Sequence, residues 1–278
     1  MKRLIDSYLD SWKEDPQRQS LLLRGARQVG KTYSVRKLGS TFPEFVEINF
    51  ELIPAAKEIF EKDLLPERII RDLSFLMQKP IIPGKTLLFF DEIQECPKAV
   101  SSLRYFYEML PSLHVIAAGS LVDFTINEIG LPVGRVSSLY MYPLSFLEFL
   151  QALEKNILIE ELLNKPLTAP VTDVAHSALL ELLGQYFAIG GMPKAVESWI
   201  TYHSPQKCFA IHQSLLNTYQ QDFNKYATKF QLKYVSLLFN QIPWHVGNLF
   251  KFSKIPGDYR KRELAPSLDL LTTAGVIH

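Results

Sequence analysis

The chain is expected to fold as an α/β domain, a parallel sheet with crossover helices, followed by helices alone. Three observations predict this. Between residues 20 and 143 short β-rich runs alternate with helical ones, which is the rhythm of a parallel sheet. The stretch "SLLLRGARQVGKT" sets a glycine loop between an apolar run and a helical pattern. After Pro143 helix follows helix, and the pattern changes once more beyond residue 226.

Strands are expected at 20–24, 45–50, 86–91, 114–119 and 137–142. The run "TLLFFD" has no polar alternation, as a strand covered on both faces requires. Helices are expected at 30–39, at 54–78 with a break near Pro66, and at 97–110. Proline removes a donor and clashes with the preceding turn, so it divides the long pattern. Beyond Pro143 the helical patterns are "SFLEFLQALEK", "AHSALLELLGQYFAI", "PKAVESWITYH" and "QKCFAIHQSLLNTYQQDFNKYA". Three further helices are expected at 230–241, about 244–252 and 258–274. This divides the chain into units at 1–143, 144–226 and 227–278.

Composition narrows the class. With 278 residues and 47% hydrophobic content, the chain can fill one large core and a smaller one. A net charge of +1 does not dress the whole surface for nucleic acid or an anionic membrane. Runs such as "TLLFF" fall far short of the roughly 20 apolar residues of a membrane helix. The start, "MKRLIDSYLDSWKEDP", carries acids where a secretory signal has an unbroken apolar segment. A cytoplasmic protein is expected, with Cys96 and Cys208 as thiols. One charge cluster stands out. Between Lys225 and Arg262 lie Lys229, Lys233, Lys251, Lys254, Arg260 and Lys261, against the single acid Asp258. Such a run could meet DNA phosphates or be a solvated face. The chain stops at "AGVIH", where a further strand is expected to begin, so it reads as cut short.

The spacing from Gly25 to Thr32 is G-x-x-x-x-G-K-T. Backbone N–H groups of such a loop curl round nucleotide phosphates. The loop residues Gly25, Ala26, Arg27, Gln28, Val29, Gly30, Lys31 and Thr32 are the candidate binding set. The glycines allow close approach, and the following helix adds its positive end. Lys31 would contact the β- and γ-phosphates, and Thr32 would offer a hydroxyl to Mg²⁺. Asp91 and Glu92 end a buried strand, where ligands lie in open parallel sheets. Asp91 is placed to hold the Mg²⁺ shell, and Glu92 to orient or deprotonate the attacking water. Ser120 ends the next strand, "HVIAAGS", and either reaches the γ-phosphate or caps the following segment. Charge developing during hydrolysis calls for an arginine, which a neighbouring subunit can supply. Arg135 in "LPVGR" and Arg104 in "SSLRYFYE" are the candidates.

The segments "RGARQVGKT", "LLFFDEIQECPKAVSSLRYFYE", "HVIAAGSL", "PVGR", "YPLSFLEFL" and "GQYFAIGGMPKAV" occur in this order. Together they resemble a bacterial and archaeal family of AAA-type P-loop ATPases whose biological role is unknown. The resemblance implies an ATPase core at 1–143, a helical lid at 144–226 and a winged-helix-like unit at 227–278. It also implies Lys31 and Thr32 as Walker A, Asp91 and Glu92 as Walker B, and Ser120 as the first sensor. Members typically continue into a nuclease-like C-terminal domain, which is missing from this sequence. ATP over GTP follows from the resemblance and from the absence of an N-K-x-D run. The adenine walls would be apolar residues of the N-terminal helix and the lid.

"GGMPKAV" could touch the nucleotide from the lid or be a plain turn. His203, Cys208 and His212 include a pair spaced for a metal, but without further ligands they read as packing. The expected activity is conversion of ATP and water to ADP and phosphate with Mg²⁺, driving a conformational switch or assembly, in a possible homo-oligomer. The alternative is an ATP-dependent regulatory DNA-binding module with slow or no hydrolysis. A phosphotransferase is a third class, disfavoured because the Asp91–Glu92 pair followed by Ser120 suits water as acceptor.

Overall fold

The computed structural model describes every residue except Leu131, Val133, Leu167, Asp258 and His278. Five parallel strands, β1 (Ser20–Arg24), β2 (Glu44–Asn49), β3 (Thr86–Asp91), β4 (His114–Ala118) and β5 (Val136–Tyr140), form one sheet in the order β2-β3-β4-β1-β5. Register is continuous across it: Leu22 lies beside Ala117 and Ser138, and Leu88 beside Val46 and Val115. All strands share one direction, so β1, β3 and β4 deliver their carboxyl ends to the same edge.

Successive side chains point to opposite faces of a strand, and the core follows that alternation. On one face Leu22, Ile48, Leu88, Phe90 and Val115 pack against α3 (Ala55–Lys62), α4 (Pro66–Met77) and α5 (Pro97–Met109) through Phe60, Ile69, Leu73 and Phe106. On the other, Leu21, Leu23, Leu87, Phe89 and Ile116 meet Leu9 and Trp12 of α1 (Leu4–Glu14) and Val35 and Leu38 of α2 (Lys31–Gly39). Pro66 opens α4 at its first position, where its missing N–H needs no partner.

After α6 (Val122–Ile129) and β5 come α7 (Phe146–Ala152), α8 (Asn156–Asn164), α9 (Asp173–Ile189), α10 (Pro193–Tyr202) and α11 (Pro205–Tyr226). The chain closes with α12 (Leu232–Gln241) and α13 (Lys261–Thr273). Their core of Tyr234, Val235, Leu238, Leu264 and Leu271 also takes in Phe223 from α11.

The fold departs from expectation in the last unit. No continuous helix occupies 244–252; short 3-10 turns at Ile242–His245 and Phe252–Lys254 stand there instead, around Pro243 and the positive φ of Gly247. The described residues after α11 contain no strand, so a wing has no counterpart among them. The final helix starts at Lys261 rather than 258, and Asp258 and His278 lie outside the described residues. Helices α6 and α8 were not expected; both are short, with eight and nine residues.

His114 opens β4 between Trp12 and Phe42, edge-on to both rings. Its Nε2 lies 3.1 Å from the Lys13 carbonyl and its Nδ1 3.4 Å from Arg18 Nη2. That pair of neighbours selects the neutral ring, Nε2–H donating and Nδ1 accepting. Burial, then the charge of Arg18, lowers its pKa, against the Lys13 carbonyl bond. The folded state therefore binds a proton less readily than the unfolded chain. Its contribution is full above the ordinary histidine pKa and is lost as pH falls below it. His114→Gln is expected to flatten this acid-side slope; an unchanged slope in denaturant titrations at pH 7.5 and 5.5 would remove His114 as its source.

Candidate functional site

The chain leaves β1 at Arg24 and turns at Gly25, whose φ is +135°. Met141, just past β5, donates its N–H to the Arg24 carbonyl at 2.8 Å. A Cβ on Gly25 would lie 2.1 Å from the Met141 carbonyl oxygen, so only glycine lets the two segments approach. Gly30, with φ +103°, then turns the loop into α2. The loop thus leads straight into the amino end of that helix, whose partial positive charge favours an anion.

Lys31 is the first residue of α2 and only 8% exposed. Its Nζ donates to the carbonyls of Gly25 at 2.8 Å and Ala26 at 2.9 Å. Burial pushes its pKa down to about 8, against the pull of Glu92 and Asp91. One residue on, Thr32 Oγ1 lies 3.3 and 3.2 Å from the two oxygens of Asp91. Asp91 ends β3, is 5% exposed, and accepts from Asn49 Nδ2 at 3.2 Å. Burial and then Glu92 raise its pKa. Glu92 takes a left-handed backbone, φ 49°, and its carboxylate accepts from Gln94 Nε2 at 2.6 Å.

A hydroxyl and a carboxylate beside a buried ammonium, in a glycine cradle, suit a phosphate ester carrying a hard divalent cation. Oxygen donors of this kind match Mg²⁺. The pairing needs no third side chain, because Mg²⁺ keeps waters and takes phosphate oxygens. Among the described residues no group of three or more His, Cys, Asp or Glu could hold a metal. Cys208 is buried and donates its thiol to the Ala195 carbonyl at 3.4 Å, the packing role expected of it.

Beside the loop opens a cleft of about 430 Å³, lined by Arg3, Gln28, Gly30, Tyr33, Pro193 and Lys194 among others. Pro193 and Lys194 belong to "GGMPKAV", so that segment does flank the loop. Its Gly191 fits against Leu144: a Cβ would lie 2.2 Å from the Leu144 carbonyl oxygen. Arg3 was not foreseen. It is 6% exposed and donates to Val29 O and Tyr142 O, each at 2.7 Å, while its Nε pairs with Glu148 at 2.8 Å. A lone arginine near a chain start carries no sequence signal. Its partner does, since Ser145 and Glu148 form a capping box.

Ser120 follows β4 and is 7% exposed. It shares a cavity of about 10 Å³ with Arg27, Asp222 and Tyr226. Arg135 and Arg104 are elsewhere. Both pair with Glu108 Oε1, at 2.8 and 2.9 Å. Arg135 precedes Val136, which lies beside Ser20 at the amino end of β1. Four strand residues, about 13 Å, separate that edge from the loop, so neither arginine reaches the loop of its own chain.

Residues 17–150 match the family model of an AAA domain. Over those residues the chain carries an AAA-type P-loop domain. Residues 180–278, beyond the AAA domain, match a family described as a domain of unknown function. Among solved structures, the Walker-type ATPase PABY2304 of Pyrococcus abyssi is 17% identical, with 98% of this chain and 89% of that one covered and a TM-score of 0.60. Looser likenesses are the ORC1 protein of Aeropyrum pernix in complex with DNA (14% identity, 99% and 85% covered, TM-score 0.39) and the STAND protein PH0952 of Pyrococcus horikoshii (14%, 100% and 39%, TM-score 0.41). At 17% identity the likeness to the Pyrococcus abyssi protein concerns the fold. No curated protein matches the sequence. Among the described residues no helix is long and apolar enough to cross a membrane.

The cradle gives a direct test. Gly25→Ala is expected to lower stability by about 1–3 kcal/mol and weaken ADP binding at least about tenfold. Gly184→Ala, where an added Cβ meets nothing within 4 Å, is the control. Wild-type melting and affinity in Gly25→Ala would show that the close approach is dispensable.

Proposed function

We propose that the chain is an ATP hydrolase whose turnover, with Mg²⁺, drives a change of conformation or assembly. The observation that carries it is the contact of Thr32 with Asp91, beside buried Lys31 and one residue before Glu92. In this reading the loop amides and Lys31 bind the β- and γ-phosphates. Thr32 and Asp91 would hold Mg²⁺, which when bound would neutralise phosphate charge. Glu92 takes the proton of the attacking water as its oxygen bonds to the γ-phosphorus; the bond to the bridging oxygen breaks, and ADP leaves with that electron pair. Ser120, at the end of the neighbouring strand, reads the γ-phosphate. The adenosine occupies the cleft between Tyr33 and Pro193.

Arg135 fits this scheme only as a residue given to a neighbouring copy. Its carboxylate partner, Glu108, keeps Arg104 when Arg135 departs. Specific activity is then expected to rise with protein concentration in the low-micromolar range, and to lose that dependence in Arg135→Ala. A flat, measurable activity would mean that the site is complete within one chain.

Glu92→Gln is expected to reduce turnover at least about a hundredfold while ATP affinity stays within about threefold. Wild-type turnover would take Glu92 out of the mechanism. Lys31→Ala should weaken binding itself, and unchanged affinity in calorimetry would sink the phosphate-loop reading.

A second reading, a regulatory module that engages duplex DNA with slow or no hydrolysis, rests on the exposure of Lys229, Lys233, Lys251, Lys254, Arg260, Lys261 and Arg262. It predicts a complex that weakens steeply between two salt concentrations. No complex by filter binding at the lower salt would end it for this chain.

A further inference from the structure

Arg27 stands inside the phosphate loop, between the two glycines, yet its contacts lead out of the ATPase core. Its Nη1 donates to both oxygens of Asp222 on α11, each at 2.7 Å. Tyr219, one turn earlier on α11, donates its hydroxyl to the Arg27 carbonyl at 3.2 Å. Tyr226 stacks on Phe124 of α6 with centroids 4.7 Å apart. The chain's end packs on the same loop: a Cβ on Gly275 would come within 3.6 Å of the Ala26 nitrogen. Ser120, at the carboxyl end of β4, lines the same narrow cavity as Arg27 and Asp222. Arg27 therefore sits where the phosphate loop, the γ-phosphate edge of the sheet and the last helices meet.

Charge makes this meeting point informative. Arginine pairs with carboxylate and with phosphate through the same planar donors. Both contacts to Asp222 use Nη1 alone, and the Arg27 side chain is 28% exposed. Asp222 is buried, and removing its partner would strand a buried charge. A second cation stands by: Lys225 Nζ lies 3.8 Å from Asp222. The carboxylate thus has a substitute when Arg27 turns away.

We infer that Arg27, beside Ser120, distinguishes a nucleoside triphosphate from a diphosphate, with Asp222 competing against the γ-phosphate for its guanidinium. This rests on the ATP-site reading above. A diphosphate ends short of Arg27 and leaves the pair to Asp222 intact. A triphosphate draws the guanidinium to itself and loosens the hold of α11 on the loop, so γ-phosphate occupancy is transmitted to the residues after α11.

The test is the ratio of two affinities. Calorimetric Kd values for AMP-PNP and for ADP, each with Mg²⁺, are measured on the full chain of wild type, Arg27→Ala and Asp222→Asn. Arg27→Ala is expected to lose at least about tenfold in AMP-PNP affinity with ADP within about threefold. Asp222→Asn, which removes the competitor, should tighten AMP-PNP several-fold and leave ADP unchanged. Retained ADP binding also reports that each variant is folded. Amide exchange across Tyr219–Tyr226 should rise with AMP-PNP, not with ADP, and not in Arg27→Ala. Equal loss of both nucleotides in Arg27→Ala, loss of neither, or weaker AMP-PNP binding in Asp222→Asn overturns the inference while the ATP site stands. A wild-type chain that binds neither nucleotide sinks the ATP site itself.

Discussion

A lysine ammonium held at 8% exposure, with its hydrogen bonds going to the carbonyls of its own loop, is the demand that the surrounding structure answers. A buried charge is tolerated only where hydrogen bonds and nearby opposite charge compensate it. Glu92 and Asp91 oppose the depression of its pKa, and they can do so only because β3 ends level with the loop. Their own proximity has a consequence: burial, then Glu92, raises the pKa of Asp91. The site is therefore a set of mutually perturbing charges, the pattern that functional sites concentrate.

The loop is held in shape from behind by Arg3. One guanidinium joins the Val29 carbonyl of the loop, the Tyr142 carbonyl beyond β5, and Glu148 at the start of α7. Burial by itself would raise the Glu148 pKa; hydrogen bonds from Arg3 and from the Leu4 and Ser145 amides outweigh it and keep the carboxyl below its usual range. One buried ion pair thus fixes the chain's start, the phosphate loop and the first helix after the sheet relative to one another. The cleft beside Tyr33 and Pro193 is the space left between them.

The centre of the sheet was legible in the sequence because β1, β3 and β4 are nearly continuous in apolar residues and buried on both faces, whereas the edge strands β2 and β5 mix polar residues in. The boundaries of β1 and β3 are those expected, and the phosphate loop and the Asp91–Glu92 pair stand where their spacing put them. What could not be read was tertiary. Arg3 and Asp222 are ordinary polar residues until folding brings them to Val29 and Arg27, from 26 and 195 positions away. The positions of Arg135 and Arg104 also depended on topology, since only strand direction reveals that they occupy the edge opposite the loop. The expected helix at 244–252 failed for a local reason: Pro243 and Gly247 favour tight turns over a regular helix.

Arg27 and Arg135, at opposite edges of the sheet, are held by the same arrangement. Each pairs with a carboxylate that a second cation also approaches: Asp222 has Arg27 and Lys225, and Glu108 has Arg135 and Arg104. A carboxylate with one partner resists giving it up, because the acid is left uncompensated. With two, the departing cation leaves a neutralised acid behind, and the penalty for moving is reduced. The effect is larger at Asp222, at 8% side-chain exposure, than at Glu108, at 30%, where water screens the charge. In the proposed reading these are the two arginines that must change partners, one toward a γ-phosphate and one toward a neighbouring copy. The buried pair is the stiffer of the two, so γ-phosphate contact has to do the work of separating Arg27 from Asp222, whereas Arg135 can exchange between Glu108 and solvent without it.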